Sequence, residues 1–196
     1  MQSVLLNDKT ERSGYAFFAI ILFIALAITI VFNNLFVLVK VSGTSMNNTL
    51  NSGDVLFVNK VCEIERGDVV VVNHPTRGMV IKRVIAMGGD EIKCEGLSSG
   101  DGKVYIKYAG TDEFVKLDEP YLSVTTSDIY PQKIEEGYIF ILGDNRANST
   151  DSTSYGAIKE EYVVGVVTQK VIDKKDKITK AFAWTFKLVE FFGGSL

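Results

Sequence analysis

Two side chains of this sequence could together make and break an acyl bond. Ser45 stands in V-S-G-T-S-M-N-N-T-L, residues 41–50, and Lys82 stands in M-V-I-K-R-V-I-A-M, residues 79–87. A serine hydroxyl is a weak nucleophile at neutral pH and needs a nearby base. The one histidine, His74, precedes Pro75 at a strand-to-turn boundary and reads as a surface turn residue. A Ser-His-Asp triad and a multi-histidine metal site are therefore not expected, and no metal or cofactor is called for. Lysine is the remaining base. Its ordinary pKa of about 10.4 leaves about one amine in a thousand neutral at pH 7.5, but apolar burial lowers that value by up to about 3–5 units. Strand alternation turns Lys82 to the same face as Val80 and Val84, among hydrophobes. A lysine on an edge strand with its amine in solvent would give the same pattern. A third stretch adds weight to the pair: G-D-N-R-A-N-S-T-D-S-T-S-Y-G, residues 143–156, is dense in side chains that hydrogen-bond backbone and orient their neighbours.

These residues need a scaffold, and the pattern supplies one of mainly β class. Short β-branched or aromatic runs at 55–58, 69–72, 80–86, 138–142 and 163–167 are bounded by Gly, Asp, Asn or Pro, with Gly-Asp pairs at 53–54, 67–68 and 89–90 as turns. Their near-continuous apolarity predicts strands covered on both faces. The predicted catalytic β core is 40–93 and 134–179. Residues 94–133, broken by glycines around weaker alternating pieces, are expected to form a smaller β insertion.

Ahead of the β region, residues 15–32 form an uncharged run of about eighteen residues, about 27 Å as a helix. The run is long, and its exit V-F-N-N-L-F has no small-x-small site, so an uncleaved transmembrane anchor over 15–39 is expected instead of a removable leader. Residues 1–14 are polar, with balanced charges, and read as a short, mobile cytoplasmic tail. Lys9 and Arg12 before the run outweigh Lys40 after it, which puts the N-terminus in the cytoplasm and the rest outside. Residues 180–196 carry aromatics around Lys187 and Glu190 and suit either an amphipathic helix on the domain or a segment at the membrane interface.

Twenty-one Lys and Arg against 24 Asp and Glu give a net charge of −3 with no basic block, so no nucleic-acid partner is expected. Cys62 and Cys94 are too far apart for a Cys-x-x-Cys motif and read as a long-range disulfide or two buried thiols.

Taken together, S-G-T-S-M-N-N-T-L at 42–50, G-D-V-L-F-V at 53–58, K-R-V-I-A-M-G-G-D at 82–90 and G-D-N-R-A-N-S-T-D-S at 143–152 resemble the bacterial type I signal peptidases of the Ser/Lys kind. The boxes stand in that family's order behind an anchor, and D-E-P-Y-L at 118–122 agrees more loosely. The resemblance covers roughly residues 41–171. It implies a signal-peptidase-like β fold and a membrane-anchored serine endopeptidase that removes signal peptides from exported precursors, with those precursors and the lipid bilayer as partners and a single-pass bacterial cell-membrane location. Ser45 would be the nucleophile and Lys82 the base. Ser149 would hydrogen-bond the lysine amine, and Asp144 and Asp151 would hold the site in shape. The oxyanion would be held by the Ser45 amide with the Gly43 amide or the Ser42 hydroxyl. Met46, Leu50 and Ile81 would line a pocket for a small residue beside the cleaved bond.

The chain departs from the family pattern in three places. Asn48 stands where proline is usual, so the turn after Ser45 is expected to be less pre-set in φ. Thr153 stands where an arginine is common, leaving Asp151 without that ion-pair partner, and Gly88 stands where a proline is common. These departures suggest a divergent paralogue. The alternatives are a non-catalytic or narrow-specificity relative that assists assembly of surface proteins, and a self-cleaving Ser/Lys repressor, which would need a DNA-binding domain where the anchor stands.

Overall fold

The computed structural model describes residues 2–95, 103–122, 129 and 131–172. It falls into two compact units, residues 1–37 and 38–196. The first is built on the helix α1, Gln2–Leu35. Within it, Gly14–Leu35 is 22 residues long and apolar enough to cross a membrane, with its side chains outward. At 1.5 Å per residue this is about 33 Å, against a hydrocarbon core of about 30 Å. Polar groups near its end are satisfied internally: Thr29 Oγ1 donates to the Ala25 carbonyl at 2.8 Å and Asn34 Nδ2 to that of Ile30 at 2.7 Å.

Two boundaries differ from those expected. The polar segment 1–14 is not a separate tail, because its backbone continues α1 back to Gln2; once a long helix is nucleated, adding Leu, Lys, Glu and Arg costs little. The apolar run does not stay helical to residue 39, because Phe36–Lys40, F-V-L-V-K, forms the strand β1.

The second unit carries two antiparallel sheets. Seven strands, β1, β2 (Val55–Asn59), β3 (Val69–His74), β4 (Gly78–Met87), β9 (Tyr138–Leu142), β10 (Ile158–Lys159) and β11 (Val163–Ile172), lie in the order β1-β2-β11-β3-β4-β9-β10. Four more, β5 (Glu91–Glu95), β6 (Lys103–Lys107), β7 (Val115–Lys116) and β8 (Gln132–Lys133), form a smaller sheet in the order β7-β6-β5-β8. The insertion therefore begins at Glu91, three residues before the expected boundary, since I-K-C alternates Ile92 and Cys94 into the core. Residues 180–196 lie outside the described residues.

Period-2 alternation builds two cores from the same strands. On β9, Phe140 and Leu142 join Ile85, Ile92, Val104, Ile106 and Ile134, while Ile139 and Ile141 join Val70, Val72, Val84 and Val166. This is the two-faced burial predicted from the near-continuous apolar runs. The pairing that matters most for the site is that of β4 with β9, where Arg83 lies opposite Leu142. β9 ends there, so the loop that follows, Gly143 and Asp144, emerges beside Lys82 and Arg83.

Between β1 and β2 the chain forms the loop that carries Ser45. Its neck is closed by the Val41 amide donating to the Asp54 carbonyl at 2.8 Å and the Gly53 amide to that of Val41 at 2.9 Å. At its tip the Asn47 amide donates to the Thr44 carbonyl, and the Thr49 and Leu50 amides to that of Met46. Asn48 sits inside this turn at φ 85°, where it is the one non-glycine residue with positive φ in the described chain. Proline, fixed near −65°, cannot adopt that value. The turn is thus a different one from a proline turn, not a looser version of it, and Asn is among the few side chains that tolerate it. Asn48→Pro is expected to lower unfolding stability by more than about 2 kcal/mol. Asn48→Gly is expected to stay within about 0.5 kcal/mol of wild type. Urea unfolding of both variants checks this, and a proline variant as stable as wild type would contradict the turn assignment.

Candidate active site

Lys82 and Ser45, 37 positions apart, meet at hydrogen-bond distance: Lys82 Nζ donates to Ser45 Oγ at 2.7 Å. The amine also donates to the Ile81 carbonyl at 3.0 Å, which fixes its direction from its own strand. Lys82 is 4% exposed. Its pKa is lowered, because burial penalises the ammonium more than the charges of Asp151 and Asp144 favour it. This is the state a lysine needs to take a proton from a hydroxyl near neutral pH.

The next residue on β4 has the opposite fate. Arg83 Nε and Nη2 grip the Asp144 carboxylate at 2.9 and 2.6 Å, and Nη1 donates to the Gly67 carbonyl at 2.7 Å. Burial works against the Arg83 charge too, but the bond and charge of Asp144 outweigh it and the pKa is raised. Asp144 also accepts from Thr49 Oγ1, which ties the Ser45 turn to the Lys82 strand through one buried carboxylate.

The loop after β9 also holds the Ser45 backbone. The Asn145 amide donates to the Ser45 carbonyl at 2.9 Å, Asn145 Nδ2 to the Thr44 carbonyl at 3.0 Å, and Asn148 Nδ2 to Thr44 Oγ1 at 2.8 Å. A side chain at Gly143 would prevent this approach, since its Cβ would lie 2.2 Å from Ser149 Oγ and 2.6 Å from the Ser45 carbonyl oxygen. Asp151 accepts the Gly143 amide at 2.9 Å and caps the short helix α2, Ser152–Tyr155, through the Thr153 amide at 3.2 Å.

The departures from the family pattern now have physical readings. Thr153 Oγ1 donates to Asp151 at 2.8 Å, so a hydroxyl and two amides serve the carboxylate where an arginine would. At Gly88 a Cβ would stand 2.8 Å from the Glu136 Cα, so the chain at 135–136 occupies the space a proline ring would need.

Other expected residues fall as follows. Ser149 does not hydrogen-bond the Lys82 amine: its Oγ is buried without a partner, beside Gly143, while the amine is directed to Ser45 and Ile81. Met46 and Leu50 are buried at 2% and 5% exposure under the turn, whereas Ile81 is half-buried. Ser42 and Gly43 are exposed just before Ser45. His74 ends β3, half-buried with its ring 4.6 Å from that of Tyr155. No disulfide joins Cys62 and Cys94, and with Cys94 buried and Cys62 exposed they are not a pair of buried thiols either.

Sequence reasoning gave no role to Arg83, Thr49, Asn145 or Asn148. Arg83 had a signal, a second cation in an apolar strand, with Asp144 already expected to hold the site in shape but given no partner. The others act through side-chain hydrogen bonds whose partners lie 95 or more positions away.

Comparison with known proteins gives the family. Residues 14–172 match the family model described as signal peptidase, peptidase S26. The chain is 38% identical over 156 residues to signal peptidase I of Bacillus amyloliquefaciens, covering 75% of this chain and 79% of that one. It is 33% identical over 176 residues to signal peptidase I V of Bacillus subtilis, covering 80% and 98%. A crystal structure of a signal peptidase I from Enterococcus faecalis is 29% identical, with a TM-score of 0.46 over 55% of this chain and 99% of that one. With its apolar N-terminal helix, its β sheets and a family match over most of its length, the chain belongs to the type I signal peptidases of the S26 family, which are serine endopeptidases.

Proposed function

We propose that this chain is anchored in a bacterial cell membrane by α1, with its N-terminus cytoplasmic, and that it removes signal peptides outside by Ser45/Lys82 acyl transfer. The observation that carries the reading is the 2.7 Å contact between a buried, pKa-lowered lysine and a serine hydroxyl. Neutral Lys82 takes the Ser45 proton as Oγ bonds to the scissile carbonyl carbon. It then passes that proton to the leaving amine as the C–N bond breaks. Lys82 then deprotonates a water that attacks the ester, and returns the proton to Ser45 Oγ as its bond to the acyl carbon breaks.

The Ser45 amide, with the Gly43 amide or the Ser42 hydroxyl, would face the developing oxyanion. Substrate would add as a strand along the part of β4 that β9 leaves unpaired, before Arg83. Ile81 lies on that stretch, and Met46 and Leu50 close the space beneath, which suits a small residue at the cut. Asp144 and Asp151 keep the elements in register. Ser149, whose buried hydroxyl has no hydrogen-bond partner among the described residues, would turn to the amine only once the Ser45 proton has moved.

Ser45→Ala and Lys82→Ala are each expected to abolish cleavage of a signal-bearing precursor by the purified protein, and the double variant to be no worse, because the two act as a unit. Lys82→Arg is expected to fail as well, since guanidinium does not give up its proton. Cleavage by any of these would refute the dyad. Precursor binding without cleavage by the wild type would favour the assembly-factor alternative.

A stability signature accompanies the lowered lysine pKa. With the folded value below the unfolded one, Lys82 costs nothing above the unfolded pKa, costs more as pH falls between the two values, and a constant amount below the folded one. Lys82→Met is expected to raise stability at neutral pH and to remove that pH dependence in urea titrations. A methionine variant less stable than wild type would mark Lys82 as a paired structural cation.

The proposed orientation rests on Lys9 and Arg12 before the apolar span of α1 against Lys40 after it. Protease added to intact protoplasts is expected to digest the part after Lys40 and to spare a tag placed before Met1; the reverse pattern would overturn the export role.

A further inference from the structure

Residues 118–122, D-E-P-Y-L, come from the segment that follows β7, yet they touch all three elements that hold the dyad. Glu119 pairs with Arg146 of the loop after β9, and their side chains are only 7% and 2% exposed. The Tyr121 ring lies against Arg83 of β4, with the guanidinium carbon 4.2 Å from its centroid. The Tyr121 carbonyl accepts from Asn48 Nδ2 of the nucleophile turn at 3.4 Å, and its hydroxyl donates to Glu119 at 3.0 Å. Burial, and then the Glu119 charge, push the Tyr121 phenol up, which keeps it a donor.

Each arginine is therefore held from two sides. Arg146 donates through Nε to the Gly143 carbonyl at 3.1 Å and meets Glu119 with its other nitrogens. Arg83 grips Asp144 with its fork and offers its face to Tyr121. A buried ion pair is a poor way to hold a segment down, because apolar packing of the same volume does so as well or better. A fork against a carboxylate and a cation against a ring instead fix direction. The groups so directed are Gly143 and Asp144, which pack on the Ser45 backbone and the base strand.

We propose that residues 118–122 act as a positioning strap for the acyl transfer, with Glu119 and Tyr121 fixing the two arginines that set the Ser45–Lys82 geometry without themselves touching substrate. The strap rests on the function proposed above. If Tyr121 no longer backs Arg83, the guanidinium is freer to leave Asp144. The Asp144 carboxylate then acts more strongly on Lys82, alongside Asp151, and favours the ammonium.

The test uses the full chain in detergent with a signal-bearing precursor. Tyr121→Leu is expected to lower kcat about tenfold or more with KM within about twofold, and to move the acidic limb of kcat/KM to higher pH. Tyr121→Phe keeps the ring over Arg83 and is expected to hold kcat within about threefold of wild type. Glu119→Gln, which keeps the shape and the bond to Tyr121 but weakens the hold on Arg146, is expected to behave like Tyr121→Leu. Unchanged kcat and pH limb in Tyr121→Leu, a rise in KM alone, or a loss that only tracks the unfolded fraction would each overturn the strap. So would the failure of both Tyr121→Leu and Glu119→Gln to fold, which would make these residues structural. Wild-type cleavage that depends on Ser45 but is indifferent to Tyr121→Leu sinks the strap alone. An inactive wild type, no different from Ser45→Ala, sinks the function and the strap with it.

Discussion

Everything at this site depends on withdrawing one ammonium group from water while the cation beside it on the same strand stays fully paired. Lys82 and Arg83 are consecutive, so desolvation acts on both. Had Asp144 faced Lys82 with Arg83 left to solvent, the carboxylate would have favoured the lysine ammonium. The carboxylate instead meets the guanidinium in a two-pronged geometry that an ammonium cannot match, which leaves the serine hydroxyl as the natural partner of the amine. Arginine and lysine divide the work by shape as much as by basicity.

That division needs the backbone to be right to within a fraction of an ångström, and the sheet provides it. Pairing Arg83 with Leu142 ends β9 where the polar loop must begin. From there Gly143 allows close approach, Asn145 grips the Ser45 carbonyl, and Thr49 reaches back to Asp144. The route from Ser45 to Lys82 runs through a buried carboxylate and a few main-chain bonds.

How much of this was legible in the sequence depended on the range of the interaction. Strands β2, β3, β4, β9 and β11 of the large sheet were readable because apolar β-branched runs between turn residues are local signals, and burial on both faces followed from their lack of alternation; β1, hidden in the apolar run after the span, and the two-residue β10 were not. That Ser45 and Lys82 would meet was readable from two residue types with one chemistry in common, and they lie 2.7 Å apart. Glu119 with Arg146 was not, since nothing near either residue announces a partner 27 positions away. The helical state of residues 2–14 was missed because polarity was read as disorder, although a helix already nucleated downstream extends at little cost. The turn at Asn48 was misjudged in kind: comparing asparagine with proline suggested a loss of restraint, and only the backbone angle reveals a conformation that excludes proline altogether.

The unequal placement of the two thiols has a practical side. Cys94 lies in the core formed where the small sheet meets β4 and β9, whereas Cys62 stands in the open after β2. Under native conditions a thiol reagent finds one site, and a second becomes reactive only when the small sheet lifts from that core. The rate at which the second label arrives is thus a natural clock for partial opening of the domain, written into the chain without any engineered reporter.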